Sequence, residues 1–294
     1  RNGLPIRISY TGNMADAQNN PQFLGYETFV GEFRNRDYRF IGCCNSIPDR
    51  ISYAAQNPGR ERVDAILPYP TPVFPKNNEI FDSTDPVYSS ACAVFHPTIR
   101  NNSTMGTYSS RKFLIEGANR PVNTESADFP LIRLAEVYLI YAEATCELNN
   151  GEISDEDLNF SINHTRARAG VAPLTNALIE NVWDAGYWDH AQGKTVCKKM
   201  NMLDEIRRER ACELFGEGFR MDDLKRWYTA EKEMKMDLVG VKYTGTEFER
   251  KWPTMSNKTN DEGCVVLESG RIWEDKHYLY PLPTDQLQLN PGWE

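Results

Sequence analysis

The segment from Met200 to Trp227, MNMLDEIRRERACELFGEGFRMDDLKRW, constrains the fold of this chain more than any other. Its apolar spacing is helical, yet charged side chains fall on nearly every face of the predicted helix. If that helix is buried, its charges must pair with one another, because an unpaired buried ion is strongly destabilising. Gly216 and Gly218 flank Glu217 and predict the end of one helix before the next begins. The segment therefore predicts two helices joined by a glycine corner.

Two carboxylates of this segment, Glu209 and Glu213, are spaced i,i+4 and would share one face of the helix. They are either a pair of catalytic carboxylates or part of an ion network that fixes the helix against its neighbours. Arginines interleave with these glutamates, which lowers carboxylate pKa values and disfavours a general acid with a raised pKa. We favour the structural network.

Composition bounds the class of protein. The chain has 294 residues, of which 40% are hydrophobic, enough for one large or two ordinary domains with a core. Its 33 basic and 42 acidic residues give a net charge of −9, which argues against nucleic acid as a partner and against direct binding to anionic lipid. No apolar run reaches the roughly 18 residues of a membrane span.

The helical pattern predicts a mainly α protein with minor β structure. A first helix is predicted at Leu131–Leu148 and ends at Asn149-Asn150-Gly151. A second is predicted at Ser154–Ala169, begun by a capping box of Ser154 with Asp157. Two antiparallel helices across a short turn form one tetratricopeptide-like unit. The buried stripe of the second helix is predicted at Leu158, Ile162, Thr165 and Ala169.

The chain divides into a loop-rich region at residues 1–125, with minor β elements, and a helical region at residues 126–294. The first is rich in Asn, Ser, Gly and Pro, whereas the second carries the helical patterns. We expect one compact unit. Within it, residues 236–272 are predicted to form a surface excursion. The final segment is predicted to return to the core through Tyr278, Tyr280 and Leu282.

A candidate ligand-binding stretch lies between the two helix pairs, at Asn181–Lys194. Trp183, Tyr187 and Trp188 alternate there with polar residues that include Asp189 and His190. Sugar rings bind with their C–H faces on exposed aromatic faces while carboxylates and amides bind the hydroxyls; buried aromatics serve the core instead. The stretch is therefore either a stacking platform or a hydrophobic plug over the helix ends. A second aromatic loop, at 73–88, offers Phe81 and Tyr88 as weaker candidates.

The residues predict no cofactor, no metal site and no catalytic residue. Seven cysteines lack the paired CxxC spacing of zinc sites, and Cys146 and Cys212 are predicted as small core residues. Cys43 and Cys44 are either a strained vicinal disulfide or free thiols, and we favour free thiols. Phosphate-binding glycine loops and a GxSxG elbow are absent, and His190 is interpreted as a solvated loop residue.

The charged segment, with three others in the same order, resembles the SusD/RagB family of outer-membrane nutrient-binding lipoproteins. The others are PLIRLAEVYLIYAEA at Pro130–Ala144, HTRARAG at His164–Gly170 and YLYPLPTDQLQLNPGW at Tyr278–Trp293. RDYRF at Arg36–Phe40 is similar to a turn of the family. The positions of the charged segment that fit the family pattern are Arg208, Glu209, Arg210, Glu213, Leu214, Glu217, Gly218, Arg220, Asp223, Leu224, Arg226 and Trp227.

The resemblance implies a SusD-like fold and a non-catalytic, cell-surface protein of Bacteroidetes. Such a protein captures glycans and passes them to a SusC-like TonB-dependent transporter, at the outer face of the outer membrane. A RagB-like peptide ligand is the alternative, and an all-helical glycoside hydrolase is a third, weaker one. The family has a lipidated N-terminal cysteine, and this chain opens RNGLPIRISY. We therefore expect a C-terminal portion, or an unusually short member of the family, with the lipid anchor outside this chain.

Overall fold

A computed structural model of the chain describes residues 22–23, 25–27, 36–40, 112, 128–184, 187–189, 194–196, 198–251, 253, 258–289 and 292. The described part is mainly helical with two small antiparallel sheets, which confirms the predicted fold class. Most of the predicted loop-rich region, including Cys43 and Cys44, lies outside the described residues. The division at residue 125 therefore stays a prediction.

The elements of the described residues are numbered here in chain order. They are α1 (Leu134–Leu148), α2 (Asp155–Phe160), α3 (Ile162–Arg168), α4 (Asn176–Ile179), β1 (Tyr187–Asp189), β2 (Lys194–Val196), α5 (Met202–Glu213), α6 (Arg220–Arg226), α7 (Ala230–Lys235), β3 (Leu238–Lys242), α8 (Glu247–Lys251), β4 (Cys264–Glu268), a 3₁₀ turn (Asp275–Tyr278) and α9 (Thr284–Leu289). Within these residues, no helix has the length and apolar composition needed to cross a membrane.

Helix α1 begins three residues later than predicted. Arg133 has extended backbone angles, φ −119° and ψ 147°, and its guanidinium binds Glu217. The helix ends as predicted, with Asn150 and Gly151 in the left-handed region at φ 56° and 96°. Glycine adopts that region without a steric penalty, so the stop signal in the sequence was physically sound.

The helix predicted at 154–169 is two helices, α2 and α3, broken at Ser161. Ser161 has φ −122° and ψ −100°, and its hydroxyl donates to the Asp157 carbonyl at 2.5 Å. A serine that bonds the carbonyl four residues back competes with the helix ladder and bends it. The predicted N-cap is confirmed, since the Ser154 hydroxyl accepts from the Asp157 N–H at 3.0 Å. The four residues of the predicted stripe are all buried.

The main core lies between α1, α3 and α5, which pack against one another. Leu139 of α1, Ile162 of α3 and Ile206 of α5 have no solvent exposure. Val182 and Met200 extend the same cluster to the chain on either side of β1 and β2. A close-packed cluster of this kind gives rigid support to the segments attached to it.

The charged segment folds as predicted into two helices around a glycine corner. The Asn201 side chain caps α5 by accepting from the Asp204 N–H at 2.8 Å. Gly216 and Gly218 then have φ 75° and 92°, and α6 follows. Cys212 is an error in the prediction: it is exposed, because the buried face of α5 is taken by its glutamates, Arg210 and two apolar residues. Cys146 is buried as predicted.

Residues 236–272 are not simply a surface excursion, as the sequence suggested. Strands β3 and β4 pair antiparallel, and α8 lies between them in the chain. Val241, Phe248 and Val265 are buried, so this hairpin carries apolar residues shielded from water. Gly263 precedes β4 and has φ 74°, whereas Gly240 lies within β3.

The return of the final segment to the core is also only partly as predicted. Tyr280 and Leu282 are 73% and 54% exposed, while Tyr278 packs against a small cluster formed by Leu224, Ala230 and Trp273. Trp273, and not Tyr280, is the buried aromatic residue of this cluster. The large indole supplies the apolar area that the small cluster needs, and Tyr280 remains on the surface.

Candidate functional site

The described part of the predicted aromatic stretch forms a β-ribbon, defined here as residues 182–184, 187–189, 194–196 and 198–200. Tyr187, Trp188 and Asp189 form β1 and pair with Val196, Thr195 and Lys194 of β2, respectively. The sequence reading found the residues but missed this hairpin, because strands of three residues are too short to show an alternating pattern. Four of the six candidate residues therefore lie on one ribbon. Phe81 and Tyr88 lie outside the described residues.

The root of the ribbon is fixed to the core. The Met200 N–H donates to the Val182 carbonyl at 3.0 Å, and both residues are buried. One step further out, Trp183 pairs with Lys199 across the ribbon and is half-buried. The half-buried state of Trp183 fits a residue that closes the core at one edge and meets solvent at the other.

Asp184 forms the next pair of hydrogen bonds across the ribbon. Its N–H donates to the Lys198 carbonyl at 3.0 Å, and its carboxylate accepts from the Lys198 N–H at 3.0 Å. On the surface, Lys198 and Lys199 also pair with Asp204 and Glu180 at 2.7 and 2.6 Å. Exposed pairs of this kind add little stability, so the ribbon is held mainly by its backbone bonds and its buried root.

The buried carboxylates of α5 form an ion network with arginines from distant parts of the chain. The Arg39 guanidinium contacts Glu209 at 2.5 Å and Glu213 at 3.1 Å. Glu209 also accepts from the Thr165 hydroxyl at 3.0 Å, and Glu213 accepts from Arg168 at 2.5 Å. Both glutamates thus point to cations and donors inside the protein.

The network continues beyond the C-terminal end of α5. Glu217, in the glycine corner, accepts from Lys112 at 2.5 Å and from the Arg133 Nε at 2.8 Å. Burial alone would raise the pKa of Glu217, but the bonds from Arg133 and Lys112 outweigh it and hold that pKa below its ordinary value. Arg133 also reaches Glu213 at 3.2 Å, which joins the two parts of the network.

Two further carboxylates are held in the same way. Glu205 is fully buried between Arg166 and Arg208, at 2.9 and 2.6 Å. Burial works to raise the pKa of Glu205, yet the charges of Arg208 and Arg166 keep it lowered. Glu143 of α1 binds Arg226 at 2.7 Å and the Trp227 indole N–H at 2.5 Å. Burial opposes these bonds, but the pKa of Glu143 is likewise lowered.

The structural interpretation of Glu209 and Glu213 is therefore confirmed: they pair with arginines in a buried network. A general acid needs a raised pKa, whereas the pKa values of the neighbouring Glu143, Glu205 and Glu217 are held below the ordinary value. Across the described residues, moreover, no group of three or more His, Cys, Asp or Glu side chains is placed to hold a metal ion.

Comparison with known proteins identifies the family. The sequence model described as "SusD family" matches residues 2–294. The chain belongs to the SusD family. The match begins at residue 2, whereas the segments that resemble the family lie at 36–40 and between residues 130 and 293. No curated protein matches the chain.

Several solved structures are similar to this SusD-family chain. The protein BT4246 is 26% identical over 67% of this chain and 30% of its own, with a TM-score of 0.43. A SusD-like carbohydrate binding protein of Bacteroides fragilis, BF0978, is 20% identical over 74% of this chain and 46% of its own, with a TM-score of 0.47. The SusD-like protein BF3747 of the same organism is 22% identical over 53% of this chain and 23% of its own, with a TM-score of 0.32. The chain spans less than half of the length of each.

Proposed function

We propose that this chain is the glycan-binding portion of a cell-surface protein that captures oligosaccharide or polysaccharide without cleaving it. Membership of the SusD family across residues 2–294 carries the proposal. It is supported by the position of the aromatic candidates on a ribbon whose root is buried in the core. Binding groups mounted on a rigid scaffold lose little freedom when a ligand arrives, which favours affinity.

The proposed binding residues are Trp183, Tyr187, Trp188 and Asp189 of the ribbon, with Phe81 and Tyr88 as weaker candidates. The aromatic rings would stack on the C–H faces of the sugar, and Asp189 would accept hydrogen bonds from hydroxyl groups. Trp188 and Asp189 are neighbours in β1. Both kinds of group that a saccharide needs are therefore carried by one strand.

The absence of catalysis is part of the proposal. A glycosidase needs two carboxyl groups roughly 5 to 9 Å apart in an open cleft, one of them with a raised pKa. The glutamates of α5 that first suggested such a pair are buried and bound to arginines. Both carboxylates are thereby engaged in a structural ion network and do not face an open cleft.

We further propose that the full protein is lipid-anchored at the outer face of the outer membrane and delivers glycan to a SusC-like TonB-dependent transporter. Family membership supports this placement. The net charge of −9 disfavours direct contact of this chain with anionic lipid. The anchor and the transporter would then hold the protein at the membrane.

The test is calorimetric titration of the purified chain with a panel of plant, host and microbial polysaccharides, with assays for polymer loss. We expect binding without turnover. Turnover would replace the proposal with a hydrolase, and binding of peptides in place of glycans would favour a RagB-like function. If the chain binds neither polysaccharides nor peptides, both binding functions are excluded for this chain.

Trp188→Ala tests the ribbon. We expect affinity for the best saccharide to fall at least about tenfold, since the indole face is lost, with the Tm changed by less than about 2 °C. The matched control is Phe160→Ala, which removes an exposed aromatic ring on α2 and should leave binding intact. A large loss of stability in Trp188→Ala would indicate that the indole belongs to the core, and would contradict its role in a binding site.

A further inference from the structure

Three tyrosines beside α6, two exposed and one half-buried, lie outside the ribbon; they are called here the tyrosine platform. Its members are Tyr228, after α6, and Tyr278 and Tyr280 in the final segment. The rings of Tyr228 and Tyr278 stack with centroids 4.4 Å apart and an interplanar angle of 19°. Tyr228 is nevertheless 69% exposed, so most of its ring faces solvent.

Tyr278 anchors the platform to the protein. Its hydroxyl accepts from the Glu231 N–H at 3.1 Å, and its ring meets the buried Trp273 edge to face, at 5.3 Å and 83°. Trp273 packs with Leu224 and Ala230 in a small buried cluster. The stacked pair is thereby held in place from below, and Tyr228 has a rigid support.

Tyr280 is fixed on the surface by polar contacts. Its hydroxyl donates to the Asp222 carboxylate at 3.0 Å, and the Lys225 ammonium lies 3.8 Å from its ring centroid. Both partners belong to α6, three residues apart, so they share one face of that helix. Leu279 is extended, at φ −101° and ψ 154°, and carries the chain from Tyr278 to Tyr280 along α6.

The backbone of Tyr228 adds an independent observation. Tyr228 has φ 57°, and at the end of α6 the Thr229 N–H donates to the Leu224 carbonyl at 3.0 Å while the Tyr228 N–H donates to the Lys225 carbonyl at 3.0 Å. These two bonds define a Schellman motif, whose left-handed position is usually glycine. A bulky residue there is strained, and strain retained in a fold points to a use for the side chain.

We propose that the tyrosine platform is a second carbohydrate-binding site, which takes a pyranose-containing oligosaccharide. It rests on the proposed function and extends it to a second surface. Tyr228 offers a supported ring face for the C–H side of a sugar, while Asp222 and Lys225, which contact Tyr280, provide an acceptor and a donor for hydroxyl groups. These rings are already fixed by their neighbours, so binding costs little side-chain entropy. Two sites on one chain would hold a polymer by avidity.

The experiment uses the full chain and four probes, namely maltohexaose, cellohexaose, xylohexaose and mannohexaose, titrated by calorimetry. The background is Trp188→Ala, which weakens the ribbon contribution. We expect residual binding in that background, lost at least about tenfold on adding Tyr280→Ala or Tyr228→Gly. Tyr280→Phe keeps the ring and should stay within about threefold of the parent, because stacking outweighs the hydroxyl contact. Circular dichroism melts verify that each variant folds.

Leu279→Ala is the matched control, because Leu279 is a 76% exposed apolar residue between two of the tyrosines and has no aromatic face. It should leave residual binding within about twofold, whereas a protein-docking surface would be weakened by it as much as by Tyr280→Ala. If Trp188→Ala alone removes all binding, the platform inference is overturned and the proposed function stands. If the wild-type chain binds none of the probes and none of the polysaccharide panel, both fail. A Leu279→Ala loss equal to that of Tyr280→Ala also overturns the inference, and ultracentrifugation would then test whether the surface joins two copies of the chain.

Discussion

At the residue scale, Gly170 shows how a single backbone position ties distant segments together. It has φ 66°, and a Cβ built there would lie 2.4 Å from the Tyr38 ring. The Tyr38 N–H also donates to the Ala169 carbonyl at 3.0 Å, so the ring has little room to withdraw. We expect Gly170→Ala to lower the free energy of unfolding by about 2–4 kcal/mol, from left-handed strain plus the clash, as measured by urea denaturation.

Gly270→Ala is the control for that prediction. Gly270 has φ 69°, almost the same conformation, but nothing lies within 4 Å of a Cβ built there. Only the strain term applies, so a loss of about 1 kcal/mol is expected. Equal losses for the two variants would show that the contact with Tyr38 does not constrain the fold. The predicted helix at Ser154–Ala169 ends just before Gly170, but the sequence held no signal for the tyrosine that lies over this glycine.

At the scale of elements, Arg39 clamps the segment at 36–40 against α3 and α5. Its guanidinium, with a 9% exposed side chain, contacts Glu209 and Glu213, while Asp37 binds the same group at 2.6 Å. Arg39→Met would leave buried carboxylates short of a cation. We expect a loss of about 3 kcal/mol or more in the free energy of unfolding, measured by urea denaturation.

The comparison for Arg39 is Arg220→Met. Arg220 pairs with Glu233 at 3.3 Å and its side chain is 50% exposed, so its loss should cost less than about 1 kcal/mol. If the two substitutions cost the same, the network would be no more than a set of surface pairs. Removing the pair altogether, as in Arg39→Met with Glu209→Leu, should recover part of the stability, because one buried carboxylate is removed together with its cation.

The same scale shows where prediction from the sequence stops. Helices α1 and α5 were predictable, because periodic apolar residues and cap residues such as Asn201 act within a few positions. The break at Ser161 was not, since serine occurs inside helices as well as at their ends. The β-ribbon was missed because strands of three residues are too short to show an alternating pattern, and because the pairing of Trp188 with Thr195 depends on the buried root.

At the scale of the whole molecule, the charged segment carries part of the family pattern and also binds arginines from distant parts of the chain. The sequence required partners for the glutamates of α5, but it could not say which arginines they would be. The structure supplies them from three separate regions, with Arg39, Arg133 and Arg166 all converging on α5 and the glycine corner. The two members of each pair are distant in sequence. The local pattern therefore predicts that the glutamates need cationic partners, but it does not predict which arginines these are.

This network predicts how stability depends on pH. Glu143, Glu205 and Glu217 have pKa values held below the ordinary value of 4.5 in the folded chain. Their carboxylates therefore bind protons more readily when the chain is unfolded, and their contribution to stability is complete only above pH 4.5. It is lost as the pH falls from there through the folded pKa values. We expect the Tm to be nearly flat between about pH 7 and 5 and to drop steeply below about pH 4.5.

The variant that isolates one member of the network is Glu217→Gln. Glutamine removes the charge that Lys112 and Arg133 neutralise, so it should be less stable than the wild type at pH 7 and lose less on acidification. Urea denaturation of both proteins at pH 7 and pH 3.5 measures the difference. Repeating it in about 0.5 M salt separates the network from general repulsion among surface charges, because screening acts on exposed charges far more than on buried pairs. Parallel pH profiles for the two proteins would mean that Glu217 titrates alike in the folded and unfolded chain, and would contradict its place in the network.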